Sequence, residues 1–287
     1  MTKLNELKGR VVVVTGGARG IGLAIADTFA EAGARVAVGA RTSADLERAL
    51  ASLRTKGPGP HLALPLDVSH EGSLAEFLGE IRAKLGEPYG LVTAAGVYGE
   101  IGPFLESSLA EWEKSLQVNL MGVVRTVHLF ARAMRKTGGG RIVLFSGGGQ
   151  GPLPNFAPYV TAKGALWRFT ETVGAELAKE KVFLNAIAPG AVNTRFLEDL
   201  LVAGPEKVGR EFYEKSLAQK DAGGESPLKA AKLAQFLLSR KAEGLHGRTL
   251  SAVWDDYENL GDLASISRSD LYAYRRVVRS DGQTRSV

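Results

Sequence analysis

The sequence predicts an α/β protein built as a Rossmann-type, doubly wound parallel sheet of about seven strands with helices on both faces. Short β-rich apolar runs alternate with amphipathic helical stretches along most of the chain, as expected when a parallel sheet is covered on both sides. A glycine-rich turn, Thr15-Gly16-Gly17-Ala18-Arg19-Gly20-Ile21-Gly22, follows the first apolar run and opens the first helical stretch. The 287 residues suffice for one large core, and 45% hydrophobic with 23% charged residues is an ordinary globular composition.

Val11–Thr15 reads as the first strand, and residues 20–32 as a helix closed by Gly33. Arg35–Ala40 is the second strand, followed by a helix through about Arg54 that ends at Gly57-Pro58-Gly59-Pro60. Leu62–Leu66 is the third strand, and Ser69 is the expected N-cap of a helix running to Leu85. Leu91–Ala95 makes the fourth strand, and a long helical stretch over Leu109–Lys136 ends at three glycines. Arg141–Phe145, Val182–Ile187 and Arg248–Val253 are strands five to seven, and a helix to about Lys179 lies between the first two. Residues 195–225 are helical but rich in charge and glycine, as expected of a lid, and Pro227–Arg240 is a helix. Residues 255–287 are expected to form an irregular or helical appendage. With no repeat or linker evident, the whole of 1–287 reads as one domain with its core over 8–253.

Composition excludes several chemistries. There are no cysteines, and the four histidines lack ligand spacing, so no metal site is expected. No apolar run reaches the roughly 18 residues of a membrane span. The polar start Met1–Lys8 shows no signal peptide, so a cytoplasmic protein is expected. Net charge is +5, much of it in residues 268–287 with five Arg against two Asp, which reads as a solvated tail. No aromatic-basic interleaving suggests a nucleic-acid surface.

Glycines at the turn after the first strand let backbone approach a pyrophosphate, while the helix N-terminus supplies N–H donors and a favourable dipole. The dinucleotide type is read at the end of the second strand. There Gly39-Ala40-Arg41-Thr42 offers an arginine and no carboxylate until Asp45, with Arg19 as a second cation. An arginine suits the 2′-phosphate, so NADP(H) is favoured over NAD(H), which stays possible. Further along, Tyr159-Val160-Thr161-Ala162-Lys163 puts Tyr159 and Lys163 one turn apart on a helix face. An ammonium that close is expected to lower the phenol's pKa from about 10, which suits proton exchange with an alcohol or ketone.

These motifs occur in an order that resembles the short-chain dehydrogenase/reductase family, over roughly residues 8–253. Thr15, Gly16, Gly20, Ile21 and Gly22 match the cofactor loop; Asp67-Val68 matches the adenine contact. Ala95-Gly96 closes Thr93-Ala94-Ala95-Gly96, where the family usually has Asn-Asn-Ala-Gly. Asn119, Ser146, Tyr159 and Lys163 match the catalytic tetrad, and Asn185 with the segment Pro189, Gly190, Ala191, Val192, Asn193 and Thr194 matches the part that closes over the nicotinamide.

The resemblance implies that Tyr159 is the general acid toward a ketone or the base toward an alcohol. It implies that Ser146 hydrogen-bonds the reacting oxygen and that Lys163 holds the nicotinamide ribose. Asn119 would keep a helix open around a proton-relay water. The implied partner is a small-molecule carbonyl or alcohol, with Tyr98, Gln150, Phe156, Ala191 and residues of the 195–225 insertion as candidate substrate residues. Apolar positions around Met121–Phe130 and Ala165–Val173 would suit docking into a homodimer or homotetramer.

The sequence also departs from the family. Thr93-Ala94 alters a brace of the central strand, and Ser146 precedes the glycine-rich Gly147–Gly151. The seventh strand runs into Trp254-Asp255-Asp256-Tyr257, which suits either a C-terminal latch or a polyhydroxylated substrate. These changes loosen any link to the 3-oxoacyl-carrier-protein reductases, an alternative reading of the substrate. A catalytically idle dinucleotide-binding protein is the other alternative. A longer-branch nucleotide-sugar epimerase would carry a different glycine motif and a larger substrate domain.

Overall fold

The computed structural model describes residues 5–147, 151–275, 277–280 and 283–286. Seven runs pair as parallel strands: β1 (Val11–Thr15), β2 (Arg35–Ala40), β3 (Leu62–Pro65), β4 (Pro88–Thr93), β5 (Gly140–Phe145), β6 (Val182–Ala188) and β7 (Thr249–Ser251). Their order is β3-β2-β1-β4-β5-β6-β7. The chain therefore winds outward from β1 to one edge, then returns to β4 and winds to the other. That reversal opens a crevice at the carboxyl ends of β1 and β4, where such sheets bind ligands.

β1 and β5 are buried at every position, which is why they read as continuous apolar runs rather than alternating ones. On one face, α1 (Gly20–Glu31), α2 (Ser43–Lys56) and α10 (Pro227–Leu238) pack their apolar sides around Phe29, Val36 and Leu233. On the other, α3 (Glu71–Lys84), α5 (Gly122–Lys136) and α6 (Ala157–Ala178) pack around Phe77, Phe130 and Leu166. The predicted fold class is the observed one.

Several local expectations need correction. The stretch over Leu109–Lys136 is not one helix: α4 (Leu109–Leu116) passes through a π-helical turn, Gln117–Met121, into α5. The widened turn carries Asn119, and π turns of this kind often mark functional sites. Ser69 does not cap α3; its N–H and hydroxyl bond Asp67 Oδ1 at 2.9 and 2.6 Å, and His70 takes the N-cap position. β4 begins at Pro88 and ends at Thr93, and β7 is shorter than predicted.

The C-terminal region holds more order than the sequence suggested. The buried Arg248 guanidinium donates to the carbonyls of Gly247, Ile266, Ser267 and Ser269, fastening the end of α11 (Leu263–Arg268) to the core. Arg275 then donates to Glu171 on α6 at 2.7 Å, and β8 (Val277–Ser280) pairs antiparallel with β9 (Gln283–Ser286). Asp255 accepts from the Ser251 N–H at 2.7 Å, and Tyr257 packs 5.3 Å from Phe236 on α10. These contacts make the Trp254–Tyr257 segment a latch on the core. Trp254 itself is 84% exposed and off the cleft, against the sugar-binding alternative.

The expected lid is three helices, α7 (Arg195–Ala203), α8 (Pro205–Val208) and α9 (Arg210–Ala222). They share a small apolar cluster of their own, in which Leu200 and Val208 meet Phe156. Among the described residues, no helix is long and apolar enough to cross a membrane, and no group of side chains is set to hold a metal.

Candidate active site

A cavity of about 410 Å³ runs along the carboxyl end of the sheet from Arg41 to Tyr159. The glycine turn forms one wall. Gly16 has φ +68, and a Cβ there would fall 2.5 Å from the Ala95 nitrogen. A Cβ on Gly22 would fall 2.2 Å from the Gly16 carbonyl oxygen, so only glycine lets α1 start this close to the loop. Arg19, extended at the N-cap of α1, makes no side-chain cap bond, which leaves first-turn N–H groups for an anion.

The end of β2 supplies Arg41, exposed on the cavity wall, and β3 leads to Asp67 beside it. Burial alone would push the Asp67 carboxyl up, but the Ser69 hydrogen bonds, His70 and Arg41 together hold it below the usual carboxylate value. Asp45, in the first turn of α2, also lines the cavity. It lies 3.8 Å from Arg19 Nη1 and bonds the Arg48 guanidinium, with only 14% of its side chain exposed. The sequence reading dismissed this carboxylate as too far along; the α2 turn brings it back to the glycine loop.

At the other end α6 presents Tyr159 and Lys163, with the lysine Nζ 5.6 Å from the tyrosine ring centroid. The pair shares a helix face as predicted, but its electrostatics are reversed. Burial pushes the Tyr159 phenol above its ordinary value, with Tyr98 adding to the shift, and lowers Lys163 to about 8. The ammonium donates to the Phe145 carbonyl at 2.8 Å instead of to the phenol, so loss of solvent outweighs its influence on Tyr159. The Tyr159 hydroxyl donates to the Gly147 carbonyl at 3.3 Å. Ser146 is fully buried, and its Oγ has no hydrogen-bond partner among the described residues. A buried hydroxyl without a partner is uncommon, and this one lies just past the end of β5.

Asn119 acts through backbone. Its Oδ1 accepts from the Val97 N–H at 3.0 Å, and its Nδ2 donates to the Val97 carbonyl at 2.8 Å. The π turn is thereby tied to the segment that follows β4 and leads to Tyr98. The Thr93 hydroxyl is buried without a partner among the described residues, the local consequence of a threonine at that position.

Of the sequence-predicted positions, Gly16, Arg19, Gly20, Ile21, Gly22, Arg41, Asp67, Val68, Ala95, Gly96, Tyr98, Tyr159, Lys163, Pro189, Gly190, Ala191, Val192 and Thr194 all face this one cavity. Thr15 is buried in the sheet, and Asn119 and Ser146 stand behind the wall. Phe156 is fully buried and lies off the cavity wall, its ring packed between Tyr98 and Phe212 at 5.1 and 5.5 Å. Gln150 lies outside the described residues. Phe196 and Asp199, within the 195–225 insertion expected to contribute to the pocket, line the cavity as well. Sequence reasoning missed Asp45, for which the signal was its place in a helix first turn.

A glycine-bounded cleft at a sheet reversal, leading to a tyrosine and lysine one helix turn apart, defines a dinucleotide-dependent oxidoreductase. Comparison with known proteins narrows this: the short chain dehydrogenase family model matches residues 10–202, and the chain belongs to that family. It is 31% identical over 254 residues to dehydrogenase/reductase SDR family member 4 of Mus musculus, covering 87% of this chain and 88% of the relative. To short-chain reductase protein NovJ of Streptomyces niveus it is 33% identical over 244 residues, covering 84% and 91%. Among solved structures, levodione reductase aligns with TM-score 0.78 at 27% identity, over 85% of this chain and 96% of that one. NAD⁺-bound xylitol dehydrogenase aligns with TM-score 0.78 at 27% identity, over 86% and 98%. The chain is thus an NAD(P)-dependent oxidoreductase of alcohol and carbonyl groups.

Proposed function

We propose that this protein interconverts a ketone and a secondary alcohol of a small molecule, with NADP(H) preferred over NAD(H). The observation that carries the reading is one continuous cavity with Arg41 at one end and Tyr159 beside Lys163 at the other. The glycine loop fits a pyrophosphate because no Cβ obstructs Gly16, Gly20 or Gly22, and the α1 N-terminus offers its N–H groups. Arg41 and Arg19 would face the 2′-phosphate. Ala95, Gly96, Pro189, Gly190, Val192 and Thr194 would line the nicotinamide ribose and ring. When bound, the reduced nicotinamide supplies the hydride for the carbonyl carbon.

The chain's own residues handle the proton. Tyr159 exchanges its bond to the Gly147 carbonyl for one to the substrate oxygen and donates its phenolic proton there. Ser146 Oγ has no other partner but lies behind the cavity wall, and it would donate a hydrogen bond to the same oxygen only once the adjacent Gly147 backbone gives way. Lys163 favours the phenolate that remains, and Asn119 fixes the segment carrying Tyr98. Burial of the pair strengthens these interactions by excluding water.

Two solved relatives are described with NAD⁺ or NADH bound, which keeps NADH in view as the cofactor. A second reading, an idle dinucleotide-binding protein, draws on the pairing of Tyr159 with Gly147 rather than with Ser146. A panel of ketones and secondary alcohols assayed with NADPH and NADP⁺ separates the two. Turnover supports the enzyme, while tight NADPH binding with no turnover across the panel supports the idle protein. Assembly through α5 and α6 into a dimer or tetramer, in the cytoplasm, completes the proposal, and light scattering tests the assembly.

A further inference from the structure

At the Tyr159 end of the cavity a ring of the protein's own lies on the wall. Phe196, in the first turn of α7, holds its phenyl 4.8 Å from the Tyr98 ring and 6.0 Å from the Tyr159 ring, at interplanar angles of 66° and 58°. Tyr98 in turn stands 5.0 Å from Tyr159, edge-on at 69°. The Phe196 ring edge also comes within 3.6 Å of where a Cβ on Gly96 would lie. One six-membered ring is thus held against the proton-donating tyrosine, a second aromatic wall and a glycine floor.

Phe196 does little else. It belongs to none of the three apolar clusters, and the lid is held down without it by Phe156, Leu200 and Val208. It is half-buried on the cavity wall, against Tyr98. Its phenyl therefore borders the space from which a carbonyl would reach Tyr159.

We infer that Phe196 stands in for the substrate's ring, and that the site takes a ketone carried on or within a flat six-membered ring. The inference rests on the carbonyl chemistry proposed above. Such a ring displaces Phe196 and takes over its edge-on contact to Tyr98 and its tilted contact to Tyr159, arrangements that aromatic quadrupoles favour. An open-chain ketone can fill the volume but cannot replace those contacts. Two of them correspond to about a tenfold preference at fixed carbon number.

The test compares acetophenone with 2-octanone, which have equal carbon counts, in the full-length protein with NADPH. Wild type should show kcat/KM about tenfold higher for acetophenone. Tyr98→Ala should erase the preference by raising KM for acetophenone more than for 2-octanone, and Tyr98→Phe should restore it. Phe196→Ala should lower KM for acetophenone severalfold, because the competing ring is gone. Equal or reversed preference in wild type overturns the inference, as does a raised acetophenone KM in Phe196→Ala. Saturation-transfer NMR with both ketones present reads the slot without turnover. Selective contact with acetophenone that is lost in Tyr98→Ala supports the slot even where no reaction occurs, and equal contact with both sinks it. Ring-selective binding without turnover would therefore defeat the proposed reaction and leave the slot standing. Turnover without ring preference would do the reverse.

Discussion

At the Arg41 end of the cleft the walls are backbone and charge: glycines, with Arg19 and Arg41 exposed and Asp45 holding Arg19 and Arg48. At the Tyr159 end they are aromatic and half-buried, with Tyr98, Tyr159 and Phe196 ring to ring and Lys163 only 6% exposed. Charge at the first end can be screened by water and salt; at the second, burial moves pKa values and leaves the Ser146 hydroxyl without a partner among the described residues. Affinity for the cofactor and competence for proton transfer should therefore fail separately when each end is altered.

The largest expected effect outside the tetrad is at the glycine loop. Gly22→Ala puts a methyl 2.2 Å from the Gly16 oxygen, so the loop must shift, and NADPH affinity should fall by about 100-fold or more, read by fluorescence titration. An unchanged affinity would show that the loop is not the phosphate cradle. Next is Arg41→Ala. A charged hydrogen bond contributes about 1.5–3 kcal/mol, so NADPH binding should weaken roughly 10- to 100-fold while NADH binding holds. Equal loss for both cofactors would remove Arg41 from 2′-phosphate recognition.

Asp45→Asn should act in the opposite direction and more weakly. It releases Arg19 and Arg48 from a carboxylate and should tighten NADPH severalfold, on the order of 1 kcal/mol, with little change for NADH. Weaker NADPH binding in this variant would mean that Asp45 positions the arginines instead of competing for them.

The carbonyl end offers the smallest signal, in stability. Lys163 is lowered to about 8 by burial, against 10.5 as its ordinary value. Between those values the unfolded chain holds the proton more tightly, so the cofactor-free protein should gain stability as pH rises from about 8 toward 10. Below pH 8 the burden of the buried charge is present in full. Denaturant melts of wild type and Lys163→Met should show this slope only in wild type, and parallel slopes would contradict a depressed lysine.

The contrast between the two ends also explains what could be read from the chain. Strand β1, the glycine turn and Arg41 follow one another locally, so spacing alone located them. The sheet was legible for the same reason, since buried parallel strands are apolar without interruption. The pairing of Tyr159 with Lys163 was visible as a helix spacing, but the direction of the phenol's shift was not. That depends on how completely β5, the lid and Tyr98 bury it, and on Lys163 finding the Phe145 carbonyl. Asp45 was missed because it reaches the cleft by a turn of backbone after its motif has ended. An opened helix at Asn119 came from the family resemblance and not from composition, because a widened turn has the same composition as the helix around it. The hairpin β8–β9 was obscured by an arginine-rich sequence that reads as tail.

The separation of the two ends is tested most directly by Tyr159→Phe, with NADPH affinity and single-turnover ketone reduction measured on the same preparation. NADPH affinity should stay within about twofold of wild type, and the rate should fall by about 10²- to 10⁴-fold, as loss of a positioned acid requires. Undiminished turnover would contradict Tyr159 as the proton donor, and lost NADPH affinity would contradict the independence of the two ends.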